Sequence, residues 1–266
     1  MIKLIASDVD GTLVSEGSDR INPEIFSVIR RLKEQGTLFA VASGRSYSSI
    51  RKLFEPVAQD MIFIADNGSN IICRGYETFS AKIDPETIGE LVRYIRENRL
   101  GYPVISSKTT VFVETEDPEF LDLMINGYHN HVRVMKDVLE ADETIIKAAI
   151  FRRPNIRDIA QKVTEDWKDR LHVMAAGDPW LDFVDYQADK GYALKSIQKL
   201  LGIKREETMA FGDNLNDLGM LESAGESYAV ANARPQVRQA AKHLAGAYTE
   251  DGVLKVMKGL LENASM

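Results

Sequence analysis

Short apolar runs that stop at polar turns alternate with amphipathic stretches as far as Ala65, and this alternation constrains the fold more than any other feature of the chain. Ile2 to Ser7 is apolar but for Lys3 and Ser7 and runs into Asp8-Val9-Asp10-Gly11, the pattern of a buried strand that stops at a glycine turn. Asn22-Pro23 offers a cap followed by proline at the first helical position; Ile25, Val28, Ile29 and Leu32 share one helical face, and Gly36 marks the stop. Leu38 to Ala42 reads as a second buried strand, Ser46 to Phe54 as a helix and Met61 to Ala65 as a third strand. Strands buried on both faces and separated by helices predict an α/β fold, a parallel sheet whose ligands gather at the carboxyl ends of its strands.

From about Asp84 the texture changes. Asp84-Pro85 caps a helix with Ile88, Leu91, Val92 and Ile95 on one stripe, and Tyr102 to Ile105 and Thr110 to Glu114 read as strands around a polar turn. A helix near Pro118 to Tyr128, a strand at Thr144 to Phe151, a helix at Ile156 to Trp167 and strands at Leu171 to Ala175 and Leu181 to Tyr186 complete an α+β insert. After Lys190 the first texture returns: Ala193, Leu194, Ile197, Leu200 and Leu201 form a helical stripe that leads to the apolar strand Thr208 to Gly212. The expected organisation is a core made from residues 1–83 and 187–266, interrupted by an inserted domain at 84–186.

Four local patterns sit where such strands end or helices begin. In extended chain Asp8 and Asp10 point to one side while Val9 faces away, so two carboxylates can share a site that needs a cation between them or a proton on one. Ser43-Gly44-Arg45 supplies a hydroxyl and the amides of a glycine turn before a helix, a cradle for phosphate oxygens. Lys190 stands at a helix start, where the dipole favours negative charge, so it suits a bound anion better than the helix. Gly212-Asp213-Asn214-Leu215-Asn216-Asp217 places hard oxygen groups within one turn, and Asp213 and Asp217 fall four apart. Each pattern alone is also an ordinary cap or turn; their convergence on one sheet edge is what points to chemistry.

Composition narrows the partners. With 33 basic and 40 acidic residues the formal net charge is -7, which gives no general attraction for nucleic acid or an anionic membrane, so a phosphorylated ligand has to be held locally. The single cysteine excludes an internal disulfide and fits a reducing, cytoplasmic setting, and the start has too short an apolar run for a signal peptide. The four histidines show no metal-ligand spacing with Cys73.

The ordered set Asp-x-Asp, Ser, Lys and Gly-Asp-x-x-Asn-Asp resembles the haloacid dehalogenase superfamily, and most closely its Cof-like sugar-phosphatase branch. The resemblance extends to Asn67-Gly68, Asn232-Ala233 and Glu250-Asp251-Gly252-Val253; Ser43 stands where the branch often has threonine, and Ala231 where a glycine often precedes Asn-Ala. It implies a Rossmann-like core with a mobile cap, and a magnesium-dependent phosphatase acting on small phosphate esters. Asp8 would be the nucleophile and Asp10 the acid and base. Mg2+ would be held by Asp8, the Asp10 carbonyl and Asp213, with Asp217 in support. Val9, Ser43, Gly44, Lys190 and Asn216 would grip the phosphoryl group, and Arg45 would line the cap interface or support the loop. Cap contacts are expected near Ser106 to Thr110 or Trp180 to Asp182, with Trp180 chiefly packing the cap. A phosphomutase of the same superfamily, or a binding protein that has lost turnover, are the competing readings. The natural substrate and the oligomeric state are not written in the sequence.

Overall fold

The computed structural model describes residues 1–175 and 178–263. Eight strands form one sheet: β1 (Leu4–Ser7), β2 (Leu38–Ala42), β3 (Met61–Ala65), β4 (Asn70–Cys73), β5 (Tyr76–Ser80) and, from the far end of the chain, β12 (Thr208–Gly212), β13 (Glu226–Val230) and β14 (His243–Ala245). Their order across the sheet is β14-β13-β12-β1-β2-β3-β4-β5. The six strands from β14 to β3 run parallel, with β1 at their centre, while β4 and β5 add an antiparallel hairpin at one edge. That hairpin is not evident in the periodicity, because Asn70 to Cys73 is too short and too apolar to be told from a loop anchored in the core.

The helices form for the reasons the sequence suggests. Helix α1 (Glu24–Glu34) buries Ile25, Val28, Ile29 and Leu32, and α2 (Tyr47–Leu53) starts at Ser46, whose hydroxyl accepts from the Ser49 amide. The central strands β1, β2, β3 and β12 are apolar on both faces and nearly all of their residues are buried. Each fully buried Leu, Ile or Phe among them contributes about 1.5–3 kcal/mol relative to exposure.

Between β5 and β12 the chain builds a second sheet, ordered β10-β11-β9-β6-β7-β8. Its strands are β6 (Tyr102–Ser106), β7 (Val111–Val113), β8 (Val132–Val134), β9 (Lys147–Phe151), β10 (His172–Ala175) and β11 (Trp180–Val184). One face, carrying Ile105, Phe112, Ala148, Ile150, Leu181 and Phe183, packs on α3 (Pro85–Glu97) and α5 (Arg157–Trp167). The opposite face carries Val104, Val111, Ala149 and Trp180. It is covered only in part, by α4 (Pro118–Asp122) and the wide turn that follows it as far as Gly127. The uncovered part of that face looks toward the carboxyl ends of β1, β2 and β3, because the same pocket touches both. Helices α6 (Lys190–Leu201), α7 (Leu218–Glu222), α8 (Pro235–Ala240) and α9 (Gly252–Asn263) complete the fold around the larger sheet.

Candidate active site

Four chain segments meet at the carboxyl edge of the parallel strands. Asp8 follows β1 and is 5% exposed; its Oδ1 accepts from Lys190 Nζ at 2.7 Å. Lys190 opens α6, where Asp189 caps the helix by accepting from the Tyr192 amide, and its side chain is 1% exposed. The same Nζ donates to Asp217 Oδ1 at 2.7 Å. Asp217 Oδ2 in turn accepts from the Asp213 and Asn214 amides, each at 3.0 Å, which fixes the loop after β12. Asp213 accepts from the Thr12 hydroxyl and so ties that loop to the turn after β1.

The charge balance is uneven. Carboxylate oxygens of Asp8, Asp213 and Asp217 lie within 4.8 Å of one another, around a single ammonium. Burial first, then the Asp217 carboxylate, push Asp8 well above the ordinary carboxylate range, with Lys190 pulling the other way. The same two causes push Asp213 up to about 7. Lys190 moves upward because Asp217 and Asp8 more than offset the penalty of its burial. Asp8 Oδ2 is buried with no hydrogen-bond partner. Surplus negative charge, an orphaned carboxylate oxygen and hard donors only are what a small divalent cation requires, so the residues fit such an ion.

Gly11 makes the close approach feasible. Its φ is +85°, and a Cβ at that position would stand 2.4 Å from Asp213 Oδ2. Gly11→Ala is therefore expected to cost about 1–3 kcal/mol of stability, through backbone strain plus displacement of Asp213. Thermal unfolding checks this, and an unchanged midpoint would show that the turn absorbs the methyl group without strain.

Asp10 departs from the picture of two carboxylates side by side. Its side chain turns to Arg45, whose Nε and Nη2 donate to its two oxygens at 2.7 and 2.5 Å, and its Oδ1 also accepts from the Gly17 amide. Arg45 further donates to the Ser18 carbonyl and stands 5.3 Å from the centre of the Tyr128 ring. Arg45 is thus the residue that positions Asp10. Ser43 is buried, with its Oγ accepting from the Arg45 amide, while Gly44 lines the pocket itself. Val9 keeps its side chain in the core, as alternation requires, and its carbonyl closes the turn by accepting from the Leu13 and Val14 amides. Asn216 lines the pocket, donating to Asn67 Oδ1 at 3.0 Å; its own Oδ1 is buried and unpartnered.

A family profile described as haloacid dehalogenase-like hydrolase matches residues 5–257. The chain belongs to that family, in its Cof-like branch. A 5-amino-6-(5-phospho-D-ribitylamino)uracil phosphatase of Escherichia coli is 26% identical over 263 residues, covering 98% of this chain and 97% of its own. A phosphatase named for HMP-PP, from Cronobacter sakazakii, is 26% identical over 251 residues, covering 92% of this chain and 89% of its own. A crystal structure from Eubacterium rectale superposes with a TM-score of 0.85 at 35% identity, covering 97% of this chain and 99% of its own. The protein is a haloacid dehalogenase-like phosphatase.

Several pocket residues of this phosphatase carry no sequence motif. Glu16, beyond the Asp-x-Asp turn, accepts from the Tyr128 hydroxyl at 3.1 Å, and burial, then the Asp10 charge, push it up to about 8. Tyr128 accepts from Trp180 Nε1 at 3.2 Å. Trp180 packs as expected, 4.7 Å from the Phe151 ring centre, and it also lines the pocket. Of the turn at Ser106 to Thr110 only Ser106 reaches the pocket, while Ser107, Thr109 and Thr110 bond to Glu143. Lys147 and Asp182 pair at 2.9 Å above the floor, and Lys147 also donates to the Gly44 carbonyl at 2.8 Å. Alternation along β6, β9 and β11 was the available signal: Val104 and Ser106, Lys147 and Ala149, Trp180 and Asp182 each share a face.

Proposed function

We propose that the protein is a magnesium-dependent phosphatase of small phosphorylated metabolites, sugar phosphates among them, working through an aspartyl-phosphate on Asp8. The observation that carries this reading is the state of Asp8: Oδ1 is held by Lys190, while Oδ2 is buried and unpartnered in a residue that lines the pocket. Attack by an Asp8 oxygen on phosphorus breaks the bond to the leaving oxygen, which takes a proton from Asp10. A water then gives a proton to Asp10 and attacks phosphorus, the bond to Asp8 breaks, and phosphate leaves. The covalent route divides one difficult displacement into two easier ones.

Asp8, the Asp10 carbonyl and Asp213 would hold Mg2+, which when bound supplies positive charge to the phosphoryl oxygens and to the crowded carboxylates. Lys190 keeps Asp8 in one rotamer and adds charge next to the phosphoryl group; Asp217 holds Lys190 and the loop. Ser43, the backbone of Val9 and Gly44, and Asn216 would position the remaining oxygens. Arg45 holds both Asp10 oxygens, so in this reading the clasp loosens on one of them when Asp10 hands its proton to the leaving oxygen.

Residues 1–83 and 187–266 act in this reading as the catalytic core, and 84–186 as a cap that closes over the leaving group and excludes water. Contacts between the two support that role: Tyr128 to Glu16, Lys147 to the Gly44 carbonyl, Asp182 to Asn67 and Asn130 to Ser46. The buried thiol of Cys73, the only cysteine, supports a cytoplasmic setting. Among the described residues no helix is long and apolar enough to cross a membrane.

Phosphate release from a panel of metabolite monoesters tests the reading. Release is expected to need added Mg2+, to disappear with a chelator and to return on titration with the metal. Release at an unchanged rate in the chelator would end the magnesium assignment.

A further inference from the structure

The same pocket holds a cluster that the phosphoryl chemistry leaves unused. Asp66, just past the end of β3, lines the pocket and is 1% exposed, yet its Oδ2 is buried without a hydrogen-bond partner. Asp182 on β11 lines the same pocket and is also 1% exposed; its Oδ2 takes both Lys147 Nζ at 2.9 Å and Asn67 Nδ2 at 2.8 Å. Lys147 also serves the Gly44 carbonyl. Two buried carboxyl groups therefore share one ammonium that is already committed to Asp182 and a backbone carbonyl. Burial, with Lys147 drawing one way and Asp182 the other, pushes Asp66 up to about 7, as expected for a carboxyl short of a counter-charge.

A buried carboxyl oxygen is costly to leave unpaired, and a site that keeps one selects the ligand able to satisfy it. Beside this cluster the roof turns apolar, with Val104, Val111, Ala149 and Trp180 on the same sheet face. A leaving group seated here meets a carbon-rich wall on one side and the unsatisfied Asp66 Oδ2 on the other.

We propose that Asp66, with Asp182 across the pocket, recognises a hydrogen-bond donor on the leaving group, an amino or hydroxyl group, and turns away esters that carry a second anionic group at that end. The inference rests on the reading above, in which the phosphate sits at Asp8. A donor relieves the orphaned oxygen, whereas above about pH 7, where Asp66 is ionised, a carboxylate or second phosphate would face the charges of Asp66 and Asp182 with Lys147 already engaged.

The test uses phosphomonoesters on one carbon skeleton that end in an amino group, a hydroxyl or a carboxylate. For the wild-type chain kcat/KM is expected to favour the first two over the third by about tenfold or more. In Asp66→Asn the amino-over-carboxylate ratio is expected to shrink below about threefold, mainly through KM. Calorimetric titration of the same esters into Asp8→Asn protein reads the ranking as Kd without turnover, and neither wild-type nor Asp8→Asn data depend on the folding of the Asp66 variant. Equal kcat/KM and equal Kd across the series would overturn the inference, as would an undiminished ratio in a folded Asp66→Asn protein. If no ester is hydrolysed while the Kd ranking persists, the phosphatase chemistry falls and the recognition site stands; hydrolysis without any ranking removes the recognition site alone.

Discussion

Asp8→Asn is expected to lower phosphate release by about four orders of magnitude or more, the scale on which loss of a nucleophile registers. The variant is also expected to be no less stable than the wild type when magnesium is absent. The sign follows from the direction of the Asp8 shift. Its folded-state pKa lies above the unfolded value, mainly through burial. Folded protein therefore keeps a proton that the unfolded chain has already released, and stability falls as pH rises from the ordinary carboxylate range toward the folded value. Above that point the full cost of a buried charge beside Asp217 and Asp213 is present, and the neutral amide removes it. A chain that is inactive yet at least as stable at pH 8 separates a catalytic role from a structural one, since a residue needed for folding would lose both together. Hydrolysis at wild-type speed would remove the aspartyl-phosphate altogether. A clear drop in the unfolding midpoint would instead mean that Asp8 is chiefly the anchor of Lys190.

The prediction draws on features of very different visibility in the sequence. The aspartates after β1 and β12, the serine and glycine after β2 and the lysine at the start of α6 were readable, because backbone geometry fixes them: a strand end and a helix start leave few places for a side chain to go. The clasp between Arg45 and Asp10 was not readable in that way. It depends on how the α2 entry loop and the turn after β1 approach each other, and spacing in the chain carries no information on that. Glu16, Asp66 and Lys147 were hidden for a related reason, whereas Asp182 lay within the segment expected to make cap contacts. They become neighbours only once the second sheet lies over the first, and each looks locally like an ordinary turn or strand residue. The apolar partners of α3 and α5 were visible as stripes, so the helix-covered face of the second sheet was recoverable. The opposite face mixes valine and alanine with lysine and aspartate, which reads as a solvated surface until the floor beneath it is known.

Lys190→Met is expected to destabilise the protein by about 3–5 kcal/mol at pH 8, the usual cost of removing one partner from a buried ion pair. Methionine fills much of the same volume, so the loss is electrostatic rather than a cavity. The lysine is 1% exposed and holds Asp8 Oδ1 and Asp217 Oδ1, each at 2.7 Å. Without it three carboxylates within 4.8 Å retain no ammonium among them. Lys190 itself has a raised folded-state pKa, so its contribution is complete below the unfolded value near 10.4 and is lost only above the folded one. Between pH 5 and 8 the lysine charge is therefore constant, and any pH dependence of the deficit comes from the carboxylates. Asp213, pushed up to about 7, takes up a proton as pH falls through that range; Asp8 is shifted upward as well, mainly by burial, and protonation of either relieves the repulsion that methionine leaves. The deficit is thus expected to be largest at pH 8, smaller at pH 5 and reduced by millimolar Mg2+, which replaces part of the missing positive charge. For a chain of this length 3–5 kcal/mol corresponds to a fall of roughly 10 °C in the unfolding midpoint, readable by calorimetry. A midpoint within about 2 °C of wild type at pH 8 would mean that the carboxylates are not held against one another by Lys190. The case for a cation among them would then rest on the orphaned Asp8 oxygen alone.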